Sequence, residues 1–299
     1  MSTRDLIKNF REYLQDVKRF SKNTVTSYLT DLNQYEAYLA NGYGVTATEA
    51  SHHYIRSWIV DLLESGVSEK SVNRKISSLR SFYNYLKRKQ AITINPMQKV
   101  IGPKVPKRLP KYVDKAKINS ILDDQLLSTP SYADSREMII INLLYHTGMR
   151  RAELLSLTIR SFDMPKAIVK VLGKGNKERI VPLNDTIVRE LESYLALRSE
   201  KFPEAGDVLI LTDKGKPAYP KLIYNIVRRV LKKYNATEKA SPHVLRHTFA
   251  THLTANGADL NAVKELLGHA SLAATQVYTH NSIERLKEVY DKSHPKSKS

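Results

Sequence analysis

The sequence predicts a mainly α protein built as two helical domains with one small β-hairpin. Three observations carry this. Apolar residues recur at three- and four-residue spacing between polar turns, both in the first hundred residues and after Tyr112. A proline-rich basic stretch divides those two halves. One short region alone is β-branched and alternating, around the turn GKGN. At 299 residues with 41% apolar content, the chain has room and material for one large core or two ordinary ones.

Taken in order, Ser21 is a natural N-cap for SKNTVTSYLTDLNQYEAYLA, a helix expected to stop at Asn41-Gly42. Thr48 is expected to open TEASHHYIRSWIVDLLESG, closed by Gly66. Ser68 starts SEKSVNRKISSLRSFYNYLKRKQ, whose Val72, Ile76, Leu79, Tyr83 and Leu86 form a buried face. Pro96, Pro103, Pro106 and Pro110 then suppress helix, which sets the domains at 1–100, a linker at 101–112, and 113–299. KAIVKVL (166–172) and ERIVPL (178–183) flank Gly173-Lys174-Gly175-Asn176, a hairpin with Lys174 near its tip. Helices are expected at 185–201, 220–234, 243–256 and 259–267, and a last one from Ser282.

Composition narrows the function classes. No run of about 18 apolar residues exists to span a membrane, and MSTRDLIKNFREYL lacks the apolar core of a secretion signal. With no cysteine there are neither disulfides nor thiolate metal sites, which is consistent with a reducing cytoplasm. The net charge of +18 is unevenly placed: Gly66 to Lys111 holds twelve basic residues and one acid, Glu69. A helix with an apolar back and Lys70, Arg74, Lys75 and Arg80 in front, followed by Lys104, Lys107 and Arg108 in the strap, is suited to nucleic-acid phosphates.

Five of the nine histidines fall in SPHVLRHTFATHL and GHASLAATQVYTH. His243 and His247 have metal-ligand spacing, yet Arg246 stands between them and HEXXH is absent, so the pattern argues against a metal. His243 and Arg246 are i,i+3 neighbours, and an imidazole beside a guanidinium fork suits a phosphate. His247 and His252 read as structural. In HTGMRRAELLSL, Gly148 ends one helix and Arg150 opens the next, where Glu153 can hold it; Arg151 reads as solvated. Tyr278, one of 17 tyrosines, gains interest only from its order after these groups.

TGMRRAEL, LGKGNKERIVPL, HVLRHTFATHL, LLGHASLAATQVYTH and ERLKEVYDKSHPK, in that order, resemble the tyrosine recombinases (the phage integrase family), and within them the Xer-type recombinases. The resemblance covers nearly the whole chain. Arg151-Ala152 departs from the residues Xer relatives often carry there, leaving the chemistry intact. The resemblance implies a C-shaped clamp of a SAM-like helical N-terminal core-binding domain and a mostly α catalytic domain around duplex DNA. It implies Arg150 and Arg246 as phosphate clamp, Lys174 as the hairpin lysine, His243 and His269 as active-site histidines, and Tyr278 as nucleophile, with Glu153 behind them. It implies cutting and rejoining through a 3′-phosphotyrosine without metal, ATP or other cofactor. It implies resolution of chromosome dimers at cell division, in the cytoplasm at the nucleoid. The partners it implies are a tetrameric synapse with itself or a paralogous recombinase, and a DNA translocase of the division septum. An integrase of a mobile element, a type IB topoisomerase and a non-catalytic DNA-binding regulator are the competing readings. The apolar stripe Ile283, Leu286 and Tyr290 marks the last helix as one that must dock, and the resemblance places it on a neighbouring protomer.

Overall fold

The computed structural model describes residues 3–106, 112–124, 130–173, 177–238, 240–268 and 280–294. Contacts divide the chain into two units, Met1–Arg108 and Leu109–Ser299. The first holds α1 (Thr3–Glu12), running into a π-helical turn at Tyr13–Val17, then α2 (Lys22–Tyr43), α3 (His52–Glu64) and α4 (Glu69–Arg88). The Ser21 hydroxyl accepts from the Thr24 amide, and the Ser68 hydroxyl from the Ser71 amide, so both expected caps form. α2 continues past Asn41-Gly42 to Tyr43, where Gly44 supplies the left-handed exit. α3 starts at His52 because Ser51 is its cap, Thr46 and Glu49 being used in a turn of their own.

Val72, Ile76, Leu79, Tyr83 and Leu86 of α4 are all buried, against α1, α2 and α3. Each such side chain contributes ~1.5–3 kcal/mol on leaving water. At the α2–α4 seam Asp31 is fully buried and accepts from Arg74, Lys75 (3.1 Å) and the Ser78 hydroxyl (2.8 Å). The chain after α4 stays on this unit at first. Lys99 O accepts from Arg56 (2.7 Å), Val100 O from Arg80 (3.3 Å) and Pro103 O from Asn73 (2.8 Å).

The second unit contains α5 (Lys115–Asp124), α6 (Tyr132–Thr147), α7 (Arg151–Ser156), α8 (Asp185–Lys201), α9 (Pro220–Lys233), α10 (Pro242–Ala255), α11 (Leu260–Leu267) and α12 (His280–Ser293). α6 is buried along most of its length because it is enclosed, packing on α7, α8, α9 and α10, with Arg136 and Asn142 hydrogen-bonded to polar partners. The hairpin forms from β2 (Ile168–Leu172) and β3 (Glu178–Pro182), paired antiparallel with Val171 opposite Arg179. A third strand, β1 (Phe162–Asp163), adds to β2. Its two residues are too short to show an alternation in sequence. No helix among the described residues is long and apolar enough to cross a membrane.

The described part of α12 packs on its own unit, the alternative to the neighbouring protomer on which the resemblance places it. Tyr290 is fully buried, its hydroxyl 3.3 Å from His146 Nδ1, and His294 stacks on it at 4.7 Å. Ser293 O accepts from Asn256 Nδ2 at 2.7 Å. The pocket that Tyr290 fills, between α6 and α10, is made by residues far away in sequence. Ile283 and Leu286 lie outside the described side chains.

Candidate active site

The site begins where α6 stops. Gly148 is left-handed (φ 58°), and a Cβ there would lie 2.4 Å from Phe249 of α10 and 2.9 Å from Leu267 of α11. Only glycine permits both the turn and the close approach. The reversal makes Arg150 the N-cap residue of α7, with Glu153 three residues on. The Glu153 carboxylate accepts from the Arg150 amide through Oε2 (2.7 Å) and from its guanidinium through Oε1 (2.7 Å). This holds Arg150 by one side while 38% of its side chain remains exposed.

Arg246, on α10, is only 9% exposed. Its two terminal nitrogens donate to Gly148 O (2.6 Å) and Leu267 O (2.7 Å), joining the ends of α6 and α11. Burial and the neighbouring charge of Arg150 push its pKa down to about 10, which still leaves it cationic at neutral pH. Two like charges held side by side raise each other's energy, and an anion between them relieves it. His243 is an exposed residue of the otherwise buried first turn of α10, one turn before Arg246. Partial desolvation, His247 and the cations Arg151, Arg246 and Arg150 hold its pKa below the ordinary imidazole value. Its ring is therefore neutral at pH 7 and can accept a proton.

A third arginine was not legible as part of this site. Arg179, on β3, is 4% exposed and donates to Glu153 Oε2 (2.8 Å) and Leu266 O (2.8 Å). Burial alone raises the energy of the Glu153 charge, but hydrogen bonds and charge from Arg179, with those from Arg150, outweigh it and hold the carboxyl below its usual range. The signal was present in ERIVPL: strand alternation puts Arg179 on the same side as Val181, so a cation faces inward.

Lys174, His269 and Tyr278 lie outside the described residues. The elements that lead to them are described. Gly173 N donates to Lys177 O at 2.8 Å across the base of the hairpin tip, and α11 ends at Leu267 with Gly268 left-handed (φ 65°). His252 is buried with its Nδ1 3.1 Å from the Tyr145 hydroxyl, a satisfied core histidine. His247 departs from the structural reading, since it is exposed on the outer side of α10.

In the first unit Lys70, Arg74, Arg80 and Lys104 are exposed. Lys75 is a correction. It is 6% exposed and donates to Asp31 and Gln34, because its position on α4 falls beside Ile76 on the α2 side. Lys107 and Arg108 lie outside the described residues.

With this geometry in place, similarity to known proteins is informative. The profile described as "Phage integrase family" matches residues 111–285, and "Phage integrase, N-terminal SAM-like domain" matches residues 7–90. A protein of Myxococcus xanthus named tyrosine recombinase XerC is 37% identical over 98% of each chain. A tyrosine recombinase XerD of Staphylococcus haemolyticus is 35% identical over 98% of this chain and 99% of its own. Among solved structures, the XerH site-specific recombinase in a post-cleavage complex with its palindromic difH substrate superposes with a TM-score of 0.73 at 22% identity. It covers 97% of this chain and 84% of its own. The Tn1549 transposon integrase bound to transposon end DNA gives 0.71 at 22% identity, over 96% and 99%. These two show a shared fold.

Proposed function

The chain belongs to the phage integrase family of tyrosine recombinases, enzymes that cleave DNA and exchange strands through a tyrosine nucleophile, and on that premise we propose how its residues divide the work and what it works on. The reading is an Xer-type site-specific recombinase that resolves chromosome dimers at cell division, in the cytoplasm at the nucleoid. It acts on a duplex core site in a tetrameric synapse with itself or a paralogue, and a septal DNA translocase is a further partner. In this reading the unit Met1–Arg108 grips the core site through the exposed cations of α4, and Leu109–Ser299 carries the chemistry.

Tyr278 attacks a backbone phosphate. A tyrosyl O–P bond forms, the P–O5′ bond breaks, and a 3′-phosphotyrosine and a 5′-hydroxyl result. A phenol with a pKa near ~10 needs help at neutral pH. Neutral His243 accepts the phenolic proton, and Lys174 protonates the leaving 5′-oxygen. Arg150 and Arg246 stabilise the charge that builds on the non-bridging oxygens, and His269 donates a hydrogen bond to one of them. Attack by a 5′-hydroxyl of another strand reverses the step, so the ester bond energy is conserved.

The observation that supports this most directly is that Arg246 bonds Gly148 O, two residues before Arg150, with His243 one turn away on the same helix as Arg246. The experiment is a covalent trap. Purified protein is incubated with a library of nicked duplexes, and denaturing electrophoresis followed by sequencing of the shifted DNA identifies the site. Tyr278→Phe should bind the recovered duplex and give no shifted band. A persistent adduct from that variant assigns the nucleophile elsewhere.

A further inference from the structure

Arg179 is joined to two of the elements beside the Arg150–Arg246 pair, α7 and the end of α11, and the reaction proposed above does not use it. Its Nη2 donates to Glu153 Oε2 on α7, and its Nε to Leu266 O at the end of α11. Its side chain also closes over Gly268: a Cβ there would lie 3.1 Å from Arg179 Cδ and 3.2 Å from Nη1. One residue further along α11, Leu267 O is taken by Arg246. Guanidiniums from β3 and α10 therefore hold consecutive carbonyls at the C-terminus of α11, where the helix dipole favours cations. The residue that follows Gly268 is His269. Arg179 also stands on β3, five residues after Lys174 in the chain.

Charge accounting explains why two arginines share one acid. Glu153 is 5% exposed. The charged groups around it are Arg150 at the start of its own helix, Arg179 from β3 and Arg246 from α10. Without Arg179 the buried carboxylate would have Arg150 as its one direct ionic partner. Arg150 would be drawn inward to neutralise it, and a phosphate would have to compete with Glu153 for that guanidinium.

We propose that Arg179 is the positioning residue of this site. By sharing the charge of Glu153 it leaves Arg150 free to face a phosphate, and by holding Leu266 O it ties the β2–β3 hairpin to the end of α11. This rests on the recombinase reading for its kinetic consequence. The charge-sharing itself is independent of any reaction.

Two measurements on Arg179→Gln, Arg179→Lys and Arg179→Gln/Glu153→Gln separate these. The first is thermal unfolding between pH 5 and pH 8.5. In Arg179→Gln the folded-state pKa of Glu153 rises above its unfolded value of ~4.3. A carboxyl with a raised folded pKa loses stability as pH climbs through that value, so the Tm deficit against wild type should widen from pH 5 to pH 8.5. The double variant, with no buried carboxylate, should show a flat deficit, and Arg179→Lys, which keeps the charge, a nearly flat one. A glutamine variant that folds at pH 5 and not at pH 8.5 gives the same support. A deficit independent of pH in Arg179→Gln overturns the charge-sharing.

The second measurement is single-turnover covalent trapping on the recovered nicked duplex. Arg179→Gln should bind that duplex within about twofold of wild type but form the adduct about 100-fold more slowly, the order expected for reacting groups displaced by ~1 Å. Arg179→Lys should be slowed about tenfold, because an ammonium does not span both acceptors. Wild-type adduct rates in either variant overturn the positioning role. If the wild-type chain itself yields no adduct on any duplex, the DNA-cleavage reading fails, while the unfolding series still decides whether Arg179 shares the charge of Glu153.

Discussion

In the first unit the basic residues of α4 stand on the outside of a helix whose other side is core. In the second, three arginines converge where the ends of α6 and α11 meet α7, α10 and β3. Lys70, Arg80 and Lys104 are exposed cations, which on the proposed reading act through their field. Arg246 and Arg179 are buried, each held by two acceptors on other elements, and in the proposed reaction they act through position. The exceptions teach the same rule. Lys75 is a cation of α4 that folding turned inward, and it serves the Asp31 cluster as a structural group. Of the three converging arginines, Arg150 is the one left partly in solvent, as the proposed contact with a phosphate requires. Residue type states that a charge is present. Burial and hydrogen-bond saturation decide whether it attracts, aligns or supports.

The largest expected effect comes from breaking position while keeping charge. Arg246→Lys should slow adduct formation about 10²–10³-fold, the order seen on loss of one donor to a developing oxyanion. Filter or gel-shift binding to the same duplex should stay within a few-fold. If binding falls as much as chemistry, Arg246 belongs with the exposed cations and the contrast collapses.

Next is the buried cation of the first unit. Asp31→Ala strips Lys75 and Ser78 of an acceptor inside the α2–α4 seam, and breaking a buried ionic cluster costs about 3–5 kcal/mol. Chemical denaturation should show the first unit losing that stability, whereas Lys75 removal paired with Asp31→Asn should recover part of it.

The exposed cations should behave differently. Lys70→Gln or Arg80→Gln should weaken binding to all duplexes alike and reduce the slope of log K against log salt by roughly one each, leaving the adduct rate at saturating DNA unchanged. A change in sequence preference would mean that these side chains reach base edges.

A smaller effect is the pH profile. A reaction that needs neutral His243 is lost as pH falls through its lowered pKa, so the acid limb should lie below the ordinary imidazole range. Arg151→Gln removes one of the cations that depresses it and should move the limb upward by less than about one pH unit. Adduct rates from pH 5 to 8 would show this. Smallest of all, EDTA should leave the adduct rate unchanged, since guanidiniums carry the charge compensation; inhibition reversed by a divalent cation would place a metal in the reaction.

Much of the molecule was legible before folding. Serine caps, the left-handed glycine after α6, the apolar back of α4 and the pairing of the two strands on either side of GKGN are local properties, set within about one helical turn or one hairpin. The i,i+3 pairs Arg150–Glu153 and His243–Arg246 could be read for the same reason, and the ordered motifs carried the family. Three things needed the tertiary structure. The meeting of Arg150 with Arg246 depends on Gly148 O and Leu267 O, acceptors from elements far apart in the chain. The inward turn of Lys75 depends on Asp31 lying across the α2–α4 seam, 44 residues earlier. The role of Arg179 depends on Glu153, 26 residues before it, and Leu266, 87 residues after it, arriving at one strand position. Sequence spacing encodes neighbours on a single element. Which charges end up buried together is decided by how elements stack, because the energy of burying a charge is set by partners that only packing supplies.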